Sequence, residues 1–287
     1  MKTDRTRTGR DAAPDASRRK FLQRAATTAA LAAATAAEAA AQAQPAATAA
    51  PKPVALAGRM IKFHSGTLDI PAYISRPPKK KTAPAVLVIH EVFGLNDHIK
   101  TVADRIAAAG YVALAPQFFA RAAEAPPADA TDVSAVRRAA SLIKIEDAIK
   151  DMQAAIDFLK ADDGVRPKKF ASIGFCMGGG WSYQLATHSK DLAGAVVFYG
   201  SVPPELAPQA AAPVLASFGE KDARLNPEYV KTWVEAMQKA GKSVDAKVYP
   251  GAGHGFFNDT RPQAYNAEAA ADAWQRTLKF FRARLGD

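Results

Sequence analysis

The feature that most limits what this chain can fold into is the pentapeptide at residues 174–178, with the sequence GFCMG. The apolar run Phe170–Phe175 leads into it, and helical spacing over residues 178–188 follows. Glycines two places before and after a central residue permit a strand-to-helix turn that side chains would block. Such a turn holds its central residue in a strained conformation with the side-chain tip exposed. The pattern predicts a nucleophile elbow with Cys176 as the nucleophile.

Cys176 is the single cysteine of the 287 residues. One cysteine cannot form an intramolecular disulfide, and it lacks the partners of a zinc site. A free cysteine often packs as a small apolar side chain, so an inert thiol is the alternative interpretation. The strand, turn and helix that surround Cys176 favour the nucleophile.

Segments typical of strands and helices alternate along the chain. Residues Ala85–Ile89 form a β-branched run of the kind buried on both faces of a parallel sheet. Residues Met60–His64 and Leu68–Ser75 flank a turn as in a β-hairpin. We therefore expect an α/β fold, with helices on both faces of a mostly parallel central sheet and an antiparallel N-terminal edge hairpin. The other predicted strands are 111–115, 170–175, 193–199, 214–218 and 244–249, and the predicted helices are 97–109, 143–160, 178–188, 227–240 and 267–284.

Two further residues follow predicted strands, where catalytic groups gather in such sheets. Asp222 comes just after the strand 214–218, and His254 comes just after the strand 244–249. The order nucleophile, acid, histidine is that of the α/β-hydrolase fold. In this triad Cys176 attacks the acyl carbon, His254 handles the proton and later activates water, and Asp222 orients the imidazole. Glu220 is an alternative acid for the same role.

Acyl transfer also needs hydrogen-bond donors for the developing oxyanion. In this fold they are the backbone N–H after the nucleophile and one that follows an earlier strand. The first is Met177 N–H. The second is predicted to be Val92 N–H, in the segment HEVFG at residues 90–94.

From about residue 58 to its C-terminus the sequence resembles the dienelactone hydrolase family (carboxymethylenebutenolidases). The resemblance lies in the segments at residues 90–94, 174–178, 219–222 and 253–257. It implies that Glu91 contacts Cys176 and keeps the thiol protonated until substrate displaces the carboxylate. From the sequence alone, a glutamate that follows a buried strand could equally be a turn residue or one partner of an ion pair.

The resemblance also concerns the substrate. Family members that act on dienelactone hold its free carboxylate with two arginines, and Arg121 matches the first. The second arginine would fall four residues beyond His254, where this chain has Asn258, and a neutral amide cannot replace a bidentate guanidinium. Arg261 is either a substitute or a solvated surface residue. The candidate substrate contacts are therefore Arg121, Asn258, Arg261 and Tyr199, the last of which ends a predicted strand. The resemblance supports the reaction class more firmly than it supports the substrate.

The N-terminus has the features of an export signal. Residues 17–22, with the sequence SRRKFL, resemble the bacterial twin-arginine signal, and an Ala-rich stretch follows at residues 25–41. Cleavage is predicted after Ala43 or Ala49, although an Ala-rich tail is an alternative interpretation. We expect recognition by the twin-arginine export machinery, a periplasmic or exported protein, and no stable membrane insertion after cleavage. The predicted organisation is a cleaved signal at 1–43, a linker at 44–57 and a single α/β-hydrolase domain at 58–287.

The charge of the chain does not indicate a nucleic-acid partner. The formal net charge is +10, but residues 1–43 hold eight of the 38 basic and four of the 28 acidic residues, which leaves +6 for the remainder. That remainder has no basic run interleaved with aromatic residues. The histidines other than His254 are too scattered to predict a metal site. They are His64, His90, His98 and His188.

The sequence thus predicts a cysteine-dependent hydrolase of small lactones or esters, with no metal and no cofactor. A general exported carboxylesterase or thioesterase on the same triad is the first alternative, favoured by Asn258 and by the export signal. A non-catalytic binding protein with this fold is the second. It would be expected to lack part of the triad or the glycines of the elbow, and both are present.

Overall fold

The structure, a computed structural model, describes residues 57–122 and 133–286. The predicted export signal, both predicted cleavage sites and the linker up to residue 56 lie outside the described residues. Within these residues, no helix combines the length and the apolar character that crossing a membrane requires.

Eight strands and six α-helices make up the described part of the chain, together with two short 3₁₀ segments, Phe118–Arg121 and Pro204–Gln209. The strands are β1 (Arg59–Ser65), β2 (Leu68–Ser75), β3 (Ala83–Ile89), β4 (Val112–Pro116), β5 (Val165–Phe175), β6 (Leu192–Phe198), β7 (Val214–Gly219) and β8 (Val244–Tyr249). The helices are α1 (Asp97–Ala108), α2 (Val133–Ser141), α3 (Ile145–Ala161), α4 (Met177–His188), α5 (Pro227–Lys239) and α6 (Ala267–Leu285).

The strands form one sheet in the order β1-β2-β4-β3-β5-β6-β7-β8. The hairpin β1–β2 lies at one edge, and both β1–β2 and β2–β4 are antiparallel. The other neighbouring strands, from β4 through β3 to β8, are parallel. The expected α/β-hydrolase fold is confirmed, and the carboxyl ends of β3, β5, β7 and β8 share one edge of the sheet.

Apolar residues of β3 serve both faces of the sheet in alternation. Leu87 and Ile89 belong to the core under α3, α4 and α5, whereas Val86 and Val88 belong to the core under α1 and α6. Each of the four is at most 1% exposed. Because helices cover both faces, a continuous apolar run rather than an alternating one is the stable sequence for this strand.

Besides shifts of one or two residues at the ends of other elements, three differences from the sequence-based prediction have a physical reason. Strand β5 begins at Val165, five residues earlier than predicted, because its first part carries exposed polar residues and Pro167 rather than an apolar run. Helix α2 was not predicted, and it is a nine-residue helix in an Ala-rich stretch that had been assigned to no element. Helix α3 begins at Ile145 rather than at residue 143, with Glu146 and Asp147 in its first turn, where acidic side chains favour the helix dipole.

Candidate active site

Cys176 lies between the end of β5 and the start of α4, with φ 54° and ψ −114°. Positive φ is strained for a residue other than glycine and costs of the order of 1–3 kcal/mol. The turn closes because Gly174 packs on the backbone of Gly178, and Gly178 packs on the carbonyl oxygens of Ile89 and His90. A Cβ atom at either glycine would overlap those backbone atoms. The sharp turn predicted from the glycine spacing is present in the structure.

His254 and Asp222 continue from the thiol in one chain of hydrogen bonds. His254 Nε2 lies 3.0 Å from Cys176 Sγ, and His254 Nδ1 lies 2.6 Å from Asp222 Oδ2. The other oxygen of Asp222 accepts the N–H groups of Arg224 and Leu225, at 3.0 and 3.1 Å. These backbone donors fix the carboxylate, and the carboxylate fixes the ring. Glu220, the alternative acid, instead accepts Gly251 N–H at 2.8 Å.

The hydrogen-bond partners of His254 favour the protonated form of its imidazole ring. Burial alone would lower the pKa of His254, but the hydrogen bonds to Asp222 and Cys176 and their charges raise it to about 9. Burial would raise the pKa of Asp222, but the hydrogen bond from His254 and the backbone donors lower it. At neutral pH the site can therefore hold an imidazolium ring between the sulfur atom of Cys176 and a carboxylate oxygen of Asp222.

Glu91 has different partners from those that the family resemblance implies. Its side chain is buried, with Oε2 accepting Asn258 Nδ2–H at 2.6 Å and Oε1 accepting Tyr199 O–H at 3.4 Å. No hydrogen bond joins Glu91 to Cys176, because the amide and the phenol hold the carboxylate while His254 holds the thiol. In this structure no hydrogen bond between Glu91 and Cys176 accompanies the contact that the resemblance implies.

Asn258 faces the protein interior, not the cavity. It is 1% exposed, and its Oδ1 accepts Thr260 N–H at 3.1 Å and Thr260 O–H at 2.6 Å. With its amide nitrogen on Glu91, every polar atom of the side chain is engaged. Asn258 was expected among the substrate contacts, and the structure makes it a partner of Glu91 instead. The pairing joins residues 167 positions apart, so the sequence alone carries no signal for it.

Tyr199 lies just after β6 with φ 38°, a strained value for a bulky residue. Its ring is fully buried and meets the ring of His254 edge-on, with centroids 5.2 Å apart. Burial and the nearby Glu91 carboxylate raise the pKa of Tyr199 well above its usual value, so the phenol remains a hydrogen-bond donor. It lines the cavity, as expected for a substrate contact, and also donates to Glu91.

Arg121 pairs with an acidic side chain other than those of the candidate site. Its guanidinium donates to both oxygens of Asp151, at 2.6 and 2.7 Å, and reaches Ser65 Oγ at 3.4 Å. The Asp151 side chain is only 1% exposed, and a carboxylate buried this deeply needs a cationic partner. The expected contact between Arg121 and substrate is therefore corrected: this arginine neutralises Asp151 and does not line the cavity.

A cavity of about 850 Å³ opens over Cys176. Val92, Met177 and His254 line it, and the N–H groups of Val92 and Met177 have no acceptor among the described residues.

The cavity lining also carries basic side chains. Arg261 is one of them, with its guanidinium 4.6 Å from the centroid of the Phe93 ring. Lys221 and Arg224, two cations that the sequence analysis did not single out, also line the cavity and lie within two positions of Asp222 in the sequence. The lining also includes the apolar residues Ile145, Trp181, Pro203 and Ala264.

The sheet order, the elbow and three polar side chains at strand ends define a protein of the α/β-hydrolase fold. Solved structures agree, including an acylaminoacyl peptidase from Pyrococcus horikoshii at 15% identity and TM-score 0.63, over 81% of this chain and 42% of that one.

The chain belongs to the dienelactone hydrolase family, whose model matches residues 70–285. A Yersinia pestis protein provisionally named carboxymethylenebutenolidase is 34% identical over 74% of this chain and 83% of its own. A Saccharolobus solfataricus protein with the same provisional name is 36% identical over 77% and 97%. The structure of a provisionally named dienelactone hydrolase from Klebsiella pneumoniae has TM-score 0.74 at 30% identity, over 79% of this chain and 99% of that one. The chain is therefore a carboxymethylenebutenolidase-like hydrolase that acts on esters or lactones.

Proposed function

We propose that this hydrolase is cysteine-dependent and turns over small esters or lactones through an acyl-enzyme on Cys176. The observation that carries the proposal is the continuous chain of hydrogen bonds from Asp222 through His254 to Cys176 Sγ, at 2.6 and 3.0 Å, at the floor of the cavity. A nucleophile, a base within hydrogen-bond reach and a group that orients the base are the parts that acyl transfer needs.

In acylation, the Cys176 thiolate adds to the carbonyl carbon of the ester, and the carbonyl π electrons move onto oxygen. The N–H groups of Met177 and Val92 stabilise that oxyanion. As the intermediate collapses, the C–O bond to the leaving group breaks. The His254 imidazolium, with its pKa raised to about 9, gives its proton to the departing alkoxide. A thioester on Cys176 and a neutral imidazole remain.

In deacylation, the neutral His254 takes a proton from water as the water oxygen adds to the thioester carbon. The second tetrahedral intermediate uses the same two N–H donors, then expels the thiolate and releases the carboxylic acid. Asp222 keeps the tautomer of the ring fixed in both half-reactions, because its carboxylate holds Nδ1–H. The cycle ends with the thiolate–imidazolium pair restored.

For the substrate, we infer a small ester or lactone that carries an anionic group. Lys221, Arg224 and Arg261 line the cavity, and none forms an ion pair with a carboxylate in the described residues. A dienelactone-like substrate fits this charge. A general carboxylesterase or thioesterase is the second candidate, because Arg121 and Asn258, at the positions of the family's carboxylate-binding arginines, are both engaged with acidic side chains.

The test uses the chain from Gln44 onward and a panel of short-chain esters, thioesters, lactones and dienelactone. We expect the intact mass of the wild-type protein to gain one acyl group on Cys176, and Cys176→Ala to lose both the adduct and turnover. Cys176→Ser is the matched control, because it keeps the shape of the elbow with a poorer nucleophile. Full turnover by Cys176→Ala would reject the nucleophile. The preferred substrate on the panel separates the two candidates.

We further propose that the chain is exported by the twin-arginine route. The support is the sequence at residues 17–22 and the Ala-rich stretch that follows. In a bacterial host with this pathway, we expect the full chain in the periplasmic fraction and its Arg18→Lys, Arg19→Lys variant in the cytoplasm. N-terminal sequencing of the periplasmic form would then distinguish cleavage after Ala43 from cleavage after Ala49. Equal distribution of both proteins would contradict export by this route.

A further inference from the structure

We propose that His90 is a positioning residue that orients the peptide between Glu91 and Val92, so that Val92 N–H faces the cavity as an oxyanion donor. The inference rests on the proposed function, since it concerns the donors of the same acyl transfer. His90 is completely buried and is not itself one of the residues that line the cavity. It acts through the backbone.

The tautomer of His90 follows from its neighbours. The N–H of Phe118 lies 3.1 Å from His90 Nε2, and a backbone N–H can only donate, so Nε2 is the unprotonated acceptor. The ring proton of neutral His90 must then be on Nδ1. That nitrogen lies 2.6 Å from the Glu91 carbonyl oxygen, which accepts its proton in a short hydrogen bond.

The bond to the Glu91 carbonyl determines where Val92 N–H points. In a planar trans peptide the C=O and the following N–H point in opposite directions. The Glu91 carbonyl is held toward His90 by Nδ1–H, and Gly94 N–H adds a second bond at 3.2 Å. The N–H of the same peptide belongs to Val92, which lines the cavity and has no acceptor in the described residues.

The ring itself cannot easily turn or change charge. It lies between Phe118 and Phe119, with centroid distances of 5.5 and 5.2 Å. Burial lowers the pKa of His90 to about 4, so the ring remains neutral and Nε2 remains an acceptor over the working pH range of a hydrolase of this kind. A protonated ring would have a donor facing the Phe118 N–H.

The second donor is held against the same segment. Gly178, one residue after Met177, packs directly on the carbonyl oxygens of Ile89 and His90. The N-terminus of α4 and the peptide after Glu91 are thereby fixed relative to each other. If the Glu91–Val92 peptide flipped, a carbonyl oxygen would replace one N–H at the oxyanion, and acyl transfer would lose a donor and gain a repulsive dipole.

Two variants separate the two hydrogen bonds of His90. Asn places an amide N–H near the position of Nδ1, so His90→Asn keeps the bond to the Glu91 carbonyl and loses the one to Phe118. Gln places its polar group near Nε2, so His90→Gln keeps the acceptor for Phe118 and loses the bond to Glu91. We expect His90→Gln to lower kcat about 10²-fold with KM little changed, the usual effect of losing one oxyanion donor. We expect His90→Asn to keep kcat within about fivefold, because its donor to Glu91 remains.

The readout that excludes a general structural effect is alkylation of Cys176 by iodoacetamide. This substitution at carbon forms no oxyanion, so the alkylation rate of His90→Gln should match that of the wild type while its kcat falls. An unchanged kcat in His90→Gln, or an alkylation rate that falls in the same proportion, would overturn the proposal. If instead wild-type turnover survives Cys176→Ala, the proposed function fails, which is a separate result.

A measurement on the wild-type protein needs no folded variant. In ¹⁵N NMR of protein labelled in histidine, we expect His90 to show a protonated Nδ1 and an unprotonated Nε2 from pH 6 to 9. The opposite tautomer would leave the Glu91 carbonyl without its donor and would overturn the proposal even if every His90 variant failed to fold.

Discussion

At the scale of single residues, Asn258 shows how much a substitution at one position can change. The sequence identified it as a departure from the family's second arginine, and the structure shows the consequence, a neutral donor on the buried Glu91. Cys176, Asp222 and His254, which the structure joins by hydrogen bonds, could be proposed from the sequence because each follows a strand and each has a fixed place in the order. The Asn258–Glu91 pair could not, because a contact between distant residues leaves no local pattern.

Replacing Asn258 by Asp would set two carboxylates against each other in a buried place. We expect Asn258→Asp to lower the free energy of unfolding by at least about 2 kcal/mol, since a buried acceptor loses its donor and meets a like charge. Adding Glu91→Gln restores one amide and one carboxylate, and should recover most of the loss. Urea unfolding of the two single variants and the double variant measures this cycle, and simple additivity of the two single effects would contradict the pairing.

The pKa of His254, about 9, predicts an alkaline limit to the reaction. The imidazolium keeps its proton below this value and loses it above, so above pH 9 the leaving group lacks its acid. For alkyl esters, whose alkoxides need that proton, we expect kcat/KM to fall as pH rises through about 9. Aryl esters with good leaving groups should not show this limb. A common limb for both ester types would point to a different titrating group.

At the scale of elements, the continuity of the apolar pattern decided what could be predicted. Strand β3, apolar on both faces, was predicted from residue 85 and is two residues longer at its start. The start of β5 was not predicted, because Lys168 and Lys169 are exposed there and carry no apolar signal. Helix α2 has nine residues, too few for its spacing to stand out.

The elbow predicts a graded response to added methyl groups. In Gly178→Ala the new Cβ would overlap the carbonyl oxygens of Ile89 and His90, whereas in Gly180→Ala it would lie 3.1 Å from the Ser201 carbonyl oxygen. We expect Gly178→Ala to cost about 3 kcal/mol of stability or more. Its kcat should fall at least tenfold, as α4 moves away from β3. Gly180→Ala is the matched control and should lose less of both. Equal losses in thermal unfolding and kinetics would show that the close approach at Gly178 has no special role.

At the scale of the whole molecule, the fold and the reaction class were within reach of the sequence, but the distribution of charge around the cavity was not. Lys221 and Arg224 lie on the loop after β7, and Arg261 lies on the segment after His254. These loops lie close together because β7 and β8 are parallel neighbours in the sheet and end side by side. Exposed basic residues are common on surfaces, so no pattern distinguished Lys221 and Arg224 in the sequence, and for Arg261 a surface position was an equal alternative.

The three cations that line the cavity, Lys221, Arg224 and Arg261, predict a preference for substrates that carry a negative charge. Removing two of the three cations, in the variant Lys221→Gln, Arg224→Gln, should raise KM for an anionic ester about tenfold, with KM for its neutral methyl ester nearly unchanged, because exposed charges act mainly on charged ligands. Added salt should reduce the difference. Lys279→Gln, an exposed lysine on α6 outside the cavity lining, is the control. Parallel changes in KM for both esters would contradict an electrostatic role.

The solitary thiol has a practical consequence for anyone who prepares this enzyme. The Cys176 sulfur is hydrogen-bonded to His254 in the lining of an open cavity, and the chain has no second cysteine to form a reversible disulfide. Peroxide that reaches it should carry it past the sulfenic acid toward forms that reductants do not reverse. Because the chain has one cysteine, one equivalent of a coloured thiol reagent reports the fraction of a sample in which the Cys176 thiol is still reduced.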